Sequence, residues 1–149
     1  MTTPRDPDFE RRVRDSFVRQ RFMATLGATL DIVRPGEVHI AFAHRDELTQ
    51  QHGYLHAGVL ASVADSACGY AALSLMDTEA AVLSVEFKIN MLAPAVGERF
   101  RAVGRVVRPG RTITVCSAEV SAYREGATVP VAVMQATMMA VRDRKGVSD

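Results

Sequence analysis

From Gly58 to Met76 the chain carries one charged residue, Asp65, in a run otherwise made of Ala, Gly, Ser and other uncharged side chains. The run is about as long as a membrane span. An Asp at the middle of a bilayer costs roughly 2.5–3.5 kcal/mol, which weakly apolar residues such as Ala cannot offset. The run therefore reads as the buried helix of a water-soluble domain. Asp is a poor helix former and is costly to bury without a partner, so Asp65 is the most informative residue in the chain.

Successive helical residues advance about 100° around the axis. On that wheel Val59, Leu60, Val63, Ala64, Ala67 and Ala71 share a face suited to packing on a sheet, while Gly58, Ala61, Asp65, Cys68, Gly69 and Ala72 collect opposite. A solvated face would carry Lys, Glu, Arg and Gln. This one offers small residues and a single carboxylate, so a second surface packs close against it or a slot runs along it.

The helix start supplies complementary chemistry. Its first backbone N–H groups lack intrahelical partners, and Gly53, Ala57 and Gly58 let a ligand approach closely. Negative charge developing on a carbonyl oxygen there would be stabilised by those amides and by the helix dipole. A nearby carboxylate could then attack the carbonyl or activate water. A competing reading has Asp65 bonding a backbone group or an Arg across a subunit interface, and His56 ordering the loop as a hydrogen-bond donor. His39 and His44 read as surface residues of strand-like sequence. No pair of histidines has metal-ligand spacing with suitable partners, so no metal is expected.

The elements that must hold this helix follow from pattern. Asp6-Pro7 resembles an N-cap followed by Pro at the first helical position, and Phe9, Val13 and Phe17 form an apolar stripe on a short helix whose other faces carry mixed charge. Pro35-Gly36 joins strand-like segments 29–33 and 37–43. A polar stretch, 44–53, leads to the long helix at about 56–76. In 81–91, Leu83, Val85, Phe87, Ile89 and Met91 alternate with Ser84, Glu86, Lys88 and Asn90. Segment 99–108 alternates again, and Arg108-Pro109-Gly110-Arg111 is a strong turn. Segment 112–123 changes phase near Cys116-Ser117, which predicts a bulge or a strong twist. Segment 129–141 is nearly all apolar, as in a strand covered on both faces. The class is α+β, with one long central helix wrapped by an antiparallel sheet of about six strands. One helix cannot cover both faces of such a sheet, which predicts a homo-oligomer. Residues 1–21 form an N-terminal extension, 22–142 the domain, and 143–149 a polar tail free to fray.

Composition closes off other classes. The chain has 149 residues, 48% of them hydrophobic and 23% charged, with a formal charge of +1. That balance offers no long-range attraction for nucleic acid or an anionic membrane. Two cysteines are too few for a disulfide framework, and a reducing cytoplasm is the expected compartment.

The segment 50–65, Gln-Gln-His-Gly-Tyr-Leu-His-Ala-Gly-Val-Leu-Ala-Ser-Val-Ala-Asp, resembles the signature of hotdog-fold thioesterases of the PaaI type: Asn or Gln, five residues, His-Gly-Gly, six residues, then Asp or Glu. Segments 83–90 and 104–111 are also similar to that family, and the likeness covers roughly residues 22–141. The resemblance implies that Asp65 is nucleophile or general base, with substrate bound largely across a dimer interface. It implies that Gln50 lies near the thioester or the water, that the Ala57 N–H polarises the thioester carbonyl, that His56 holds the helix start, and that Ser84 positions water or substrate. Gly58 would admit the substrate, and Arg108 and Arg111 could meet the phosphates of coenzyme A. One departure is Ala57, where the family has Gly. Its amide serves equally unless a positive φ is needed.

The implied activity is hydrolysis of a fatty-acyl- or aryl-acyl-coenzyme A to free acid and coenzyme A, without a cofactor, by a dimer or a dimer of dimers (a homotetramer). Two other readings are a hotdog dehydratase of β-hydroxyacyl thioesters and a non-catalytic acyl-coenzyme A sensor. The dehydratase lacks the Pro-rich loop expected beside its catalytic His.

Overall fold

The computed structural model describes residues 3–149. Two short helices, α1 (Phe9–Arg19) and α2 (Arg21–Thr25), precede a hairpin of β1 (Thr29–Arg34) and β2 (Glu37–Ala43). After a single 3-10 turn comes the long helix α3 (Ala57–Leu73), then β3 (Ala81–Met91), β4 (Arg99–Arg108), β5 (Ile113–Arg124) and β6 (Ala127–Val141). The strands form one wholly antiparallel sheet in the order β1-β2-β4-β5-β6-β3. The α+β class and the single long helix against six antiparallel strands agree with the periodicities. Chain order and sheet order differ at one place: β4 returns to pair with β2, which leaves β3 on the far edge beside β6.

The sheet packs on α3 through β2, β3, β4, β5 and β6, so the helix is buried around more of its circumference than the two-faced wheel allowed. Cys68 and Ala72, placed on the open side by the wheel, are fully enclosed, and the Cys116 thiol lies 3.5 Å from the Cys68 carbonyl. The open arc runs instead along Ala57, Gly58, Ala61, Ser62, Asp65 and Gly69. Small residues make this close wrap possible. At Gly104 in β4, an added Cβ would lie only 2.3 Å from the carbonyl carbon of Ala67. Further along the β2–β4 pair, Phe42 and Phe100 stack with ring centroids 5.3 Å apart.

The N-terminal extension has a structural task. Val13 is fully buried, with Phe9 and Phe17 packed partly against the core. Arg12, on one of the charged faces of α1, reaches the far end of α3, where its guanidinium donates to the carbonyls of Leu73, Met76 and Asp77. The Leu73 and Asp77 carbonyls also accept from the Met76 and Ala80 amides in the turns that follow α3, and a cation is favoured at that end of the helix dipole. Helix α1 starts at Phe9, two residues later than Pro7 predicts, and Asp6 accepts a hydrogen bond from the Asp8 amide at 2.8 Å.

Three further expectations are corrected. His39 is buried rather than at the surface, with Nε2 2.7 Å from Glu37 Oε1. The irregularity expected near Cys116 belongs to the neighbouring strand: register shifts between Val106 and Arg108 of β4, opposite Cys116 and Val115. Thr114, Cys116, Ala118, Val120 and Ala122 of β5 all point inward, and the apparent phase change came from apolar Ile113 and Val115 on the outside. Strand β6, expected to be covered on both faces, is covered mainly on one face by its own chain, and the other is the face for which a second copy was expected. Met134, Ala136, Met138 and Ala140 are buried, while Val133 and Gln135 are exposed.

The Ala67–Gly104 contact yields a direct prediction. Gly104→Ala forces α3 and β4 apart and costs roughly 1–3 kcal/mol by overpacking, read as a lower urea midpoint with unchanged slope. An unchanged midpoint would show that the helix does not depend on this close seat.

Candidate active site

Helix α3 begins where the sequence placed it, and its first turn is organised by His56. That residue is the N-cap, with extended backbone (φ −65°, ψ 136°), and its ring Nδ1 accepts a hydrogen bond from the Gly58 amide at 2.8 Å. An accepting Nδ1 fixes the neutral tautomer with its proton on Nε2. His56 therefore organises the helix start as an acceptor, the reverse of the donor role read from sequence. The Val59 amide is satisfied by the His56 carbonyl at 3.0 Å. Among the described residues the Ala57 amide has no partner, so it is the one donor of this turn left to a ligand. Ala57 has no positive φ, so replacing Gly costs no strain there.

In front of that amide lies an open cavity of about 510 Å3, whose walls include Gln50, Tyr54, His56, Leu60, Met91 and Leu92. Gln50 lines the same cavity as Ala57, with its side-chain oxygen accepting from the His52 amide across a tight loop. Gly53 in that loop has φ +81°, a conformation L-residues rarely adopt.

Asp65 stands two helical turns further on, about 12 Å along the axis at 1.5 Å per residue. It borders a different, smaller cavity, as does Ser84. Ser84 Oγ donates to Asp65 Oδ1 at 2.7 Å, the only hydrogen bond to this carboxylate among the described residues. Among the described residues no Arg or backbone amide meets it. Burial holds the Asp65 carboxyl above the usual Asp range, and the Ser84 hydrogen bond pulls in the opposite direction. A partly desolvated carboxylate with one weak donor is a better base than a salt-bridged one.

Ser84 reaches Asp65 because of an irregularity that period-two reading hides. Strand β3 pairs Ser84 with buried Met138 and then Phe87 with buried Ala136, with a register shift between Ser84 and Glu86. One extra residue, Val85, switches the strand's phase. Ser84 therefore shares the helix-facing side with Phe87, Ile89 and Met91, although alternation had set it on the opposite face. Phe87 and Met91 remain 44% and 43% exposed on that side. The free edge of β3 and the open arc of α3 together present an uncovered apolar groove.

The structure brings together two groups of the residues singled out in the sequence: Gln50, His56, Ala57 and Gly58 at the helix start, and Asp65 with Ser84 further along. Arg108 and Arg111 join neither. They are exposed on the β4–β5 turn, where Arg111 lines a cavity with Leu75 and Met76 beyond the opposite end of α3. Sequence reasoning missed Gln20, Ser66 and Tyr70, which border the Asp65 cavity. Tyr70 had a signal, as the one large polar side chain of a small-residue helix, and Gln20 had none.

A model of the thioesterase superfamily matches residues 52–140. The chain belongs to the thioesterase superfamily. The crystal structure of a thioesterase family protein from Silicibacter pomeroyi is 55% identical, covers 90% of this chain and 98% of its own, and superposes with a TM-score of 0.89. The Escherichia coli PaaI protein from the phenylacetic acid degradation operon superposes at 0.79 with 18% identity, over 90% of this chain and 94% of its own. At that identity the likeness is one of fold, and the fold is the hotdog fold of PaaI-type thioesterases. Two Saccharolobus solfataricus proteins, provisionally named esterases, are 34% identical over 56% of this chain and 32% over 66%. The chain spans 59% and 63% of their lengths.

The environment of Asp65 makes a stability prediction with a definite sign. A folded-state pKa above the ordinary 3.8 means that wild-type stability falls as pH rises from about 3.8 through the raised value. Asp65→Asn removes that penalty. Its melting temperature at pH 7 is expected to equal or exceed wild type, with the difference shrinking to a constant below pH 4. A variant markedly less stable at pH 7 would make Asp65 a structural residue.

Proposed function

We propose that this superfamily member hydrolyses acyl thioesters of coenzyme A, using sites that each combine the helix start of one copy with the Asp65 of a second. The observation that carries this reading is the separation within one chain. The Ala57 amide and the Asp65 carboxylate belong to different cavities about 12 Å apart along one helix, too far to act on one carbonyl. Both lie on the open arc of α3, next to the uncovered groove along β3. Two copies packed through that groove in antiparallel fashion would set the Ala57 of each against the Asp65 of the other. A two-fold contact of this kind is self-complementary, and it would bury Phe87 and Met91.

In such a site the thioester carbonyl oxygen accepts a hydrogen bond from the Ala57 amide, reinforced by the positive end of the α3 dipole. His56 keeps that turn in place, and the Gln50 amide side chain faces the same space. By one route Asp65 attacks the carbonyl carbon, expelling the thiolate of coenzyme A and leaving an acyl anhydride that water then hydrolyses to the free acid. By the other it takes a proton from water that attacks the carbonyl directly as the thiolate leaves. Ser84 sets the position of the carboxylate and moderates its basicity. All groups required are side chains and backbone of the chain itself, so the reading needs no cofactor, and coenzyme A enters only as part of the substrate. A homo-oligomer, a dimer or a dimer of dimers, is part of this proposal, as is a cytoplasmic setting. Among the described residues, no helix is long and apolar enough to cross a membrane.

Steady-state assay over short, medium, long and aryl acyl-coenzyme A thioesters tests the reaction. Asp65→Asn is expected to lower kcat by at least about a hundredfold, and Ala57→Pro by about 10²–10³-fold, the usual loss for one oxyanion donor. Pro is suited to the first helical position, and the extended backbone of His56 suits a residue before Pro, so this variant removes the N–H and keeps the turn. Wild-type activity in Asp65→Asn would refute the mechanism.

The acid limb of the wild-type kcat/KM profile is expected above the ordinary Asp value. Ser84→Ala removes the interaction that lowers the Asp65 pKa and is expected to shift that limb to higher pH. A limb unmoved by Ser84→Ala would mean that another group titrates there.

A further inference from the structure

A cavity of about 130 Å3 opens at Asp65, and apart from Gly69 and Val82 every residue on its walls is polar or charged. One wall is the Gln20 side chain, from the joint between α1 and α2. That residue lies outside the family-matched segment, residues 52–140.

Hydrogen bonds inside the cavity are slack. Gln20 Nε2 donates to Ser66 Oγ at 3.2 Å, while Gln20 Oε1 is shared by the Ser66 and Tyr70 hydroxyls, each at 3.4 Å. Well-formed hydroxyl hydrogen bonds span about 2.5–3.0 Å. Yet Ser66 and Tyr70 are only 7% and 6% exposed, and buried polar groups are satisfied either by protein or by ordered water. Asp65 Oδ1 accepts from Ser84 at 2.7 Å, and among the described residues Oδ2 has no donor. A polar space of this size suits water. Each molecule takes roughly 30 Å3 in the liquid and needs roughly two to four polar partners, so about four fit and the walls supply the partners. Donors without good acceptors favour water over an apolar group.

The other ionisable groups around Asp65 take no proton from it. Asp149, in the tail expected to fray, is docked: Oδ1 accepts from Ser16 Oγ at 2.8 Å and Oδ2 from the Val82 amide at 2.7 Å. Burial pushes up the Cys68 thiol and the Tyr70 phenol, so both stay neutral.

We infer that this cavity stores the water consumed in hydrolysis, and that Gln20, Ser66 and Tyr70 are positioning residues that hold it against Asp65. The inference rests on the thioesterase reading above and adds to it the source of the second reactant. A stored water adds through its oxygen to the thioester carbonyl carbon and passes a proton to Asp65. The carbon–sulfur bond breaks and the thiolate of coenzyme A leaves. Asp65 returns its proton through the remaining waters to solvent, which protonates the thiolate. By the anhydride route the same water opens the anhydride, and its released proton takes the same path.

Steady-state kinetics of wild type, Gln20→Leu, Ser66→Ala and Tyr70→Phe on acetyl-, octanoyl- and benzoyl-coenzyme A test this, with melting temperatures to verify folding. Each variant is expected to lose about fivefold in kcat, the worth of one hydrogen bond. KM stays unchanged, and the loss is the same for every acyl group. Tyr70→Phe, a change of one oxygen atom, also moves the acid limb of kcat/KM to higher pH, because fewer dipoles solvate the Asp65 carboxylate. A high-resolution crystal structure of wild type with a non-hydrolysable octanoyl thioether decides independently of any variant. Waters joining Tyr70 to Asp65 support the assignment, and an acyl group filling the space overturns it. Unchanged kcat in folded variants, or a loss confined to one acyl group, overturns the assignment and leaves the thioesterase reading standing. Wild type without hydrolysis overturns that reading and the inference with it.

Discussion

Helix α3 lies so close to the sheet that its backbone touches the backbone of β4. Gly104 has no side chain because Ala67 occupies the place where one would be, and this contact governs the composition of the whole helix. Larger residues at Ala64, Ala67, Ala71 or Ala72 would lift it away from the strands that wrap it. The stability lost with small side chains is recovered in fit, since interiors packed to crystal-like density gain from many weak contacts. Closeness of this kind also consumes most of the helix surface. What remains uncovered is a narrow arc, and that arc carries the carboxylate.

Desolvation follows from the same geometry. Asp65 sits in a notch between α3 and β3, where burial raises its pKa and one hydroxyl opposes the rise. A charged group in such a place destabilises the fold whenever it is ionised, and proteins keep such groups chiefly at working sites. The other half of the chemistry, an unsatisfied amide at a helix start, is likewise a local imperfection that the His56 ring corrects for Gly58 and leaves uncorrected for Ala57. Each chain thus holds both imperfections, but on a rigid helix that fixes them apart. The edge strand β3, with Phe87 and Met91 uncovered, is the surface through which a second copy would bring them together.

Much of this was legible in the sequence because it depends on local periodicity. The uncharged run with its single Asp, the small residues around it, and the glycines at its start mark, through spacing, the position of the helix and of its one carboxylate. Other features depend on events that spacing does not record. The extra residue at Val85 leaves alternation intact on paper, yet it turns Ser84 from the outer face to Asp65. Cys68 and Ala72 were misplaced because a helical wheel assumes one packing surface, whereas a curved sheet covers the helix from several sides. Arg12, Gln20 and Asp149 act on residues some 45 to 67 positions away, and no local pattern encodes a contact between chain ends and core.

The central claim is that one active site needs two chains, and subunit complementation tests it most directly. Asp65→Asn and Ala57→Pro proteins, each inactive alone, are mixed, dissociated and reassembled, and thioester hydrolysis is measured. In a mixed dimer one site inherits an intact Ala57 amide from the first chain and an intact Asp65 from the second, while the other site inherits both defects. Random reassembly then restores about a quarter of wild-type activity. If the site lay within one chain, every site in the mixture would keep one defect, and activity no higher than that of the separate variants would contradict the account.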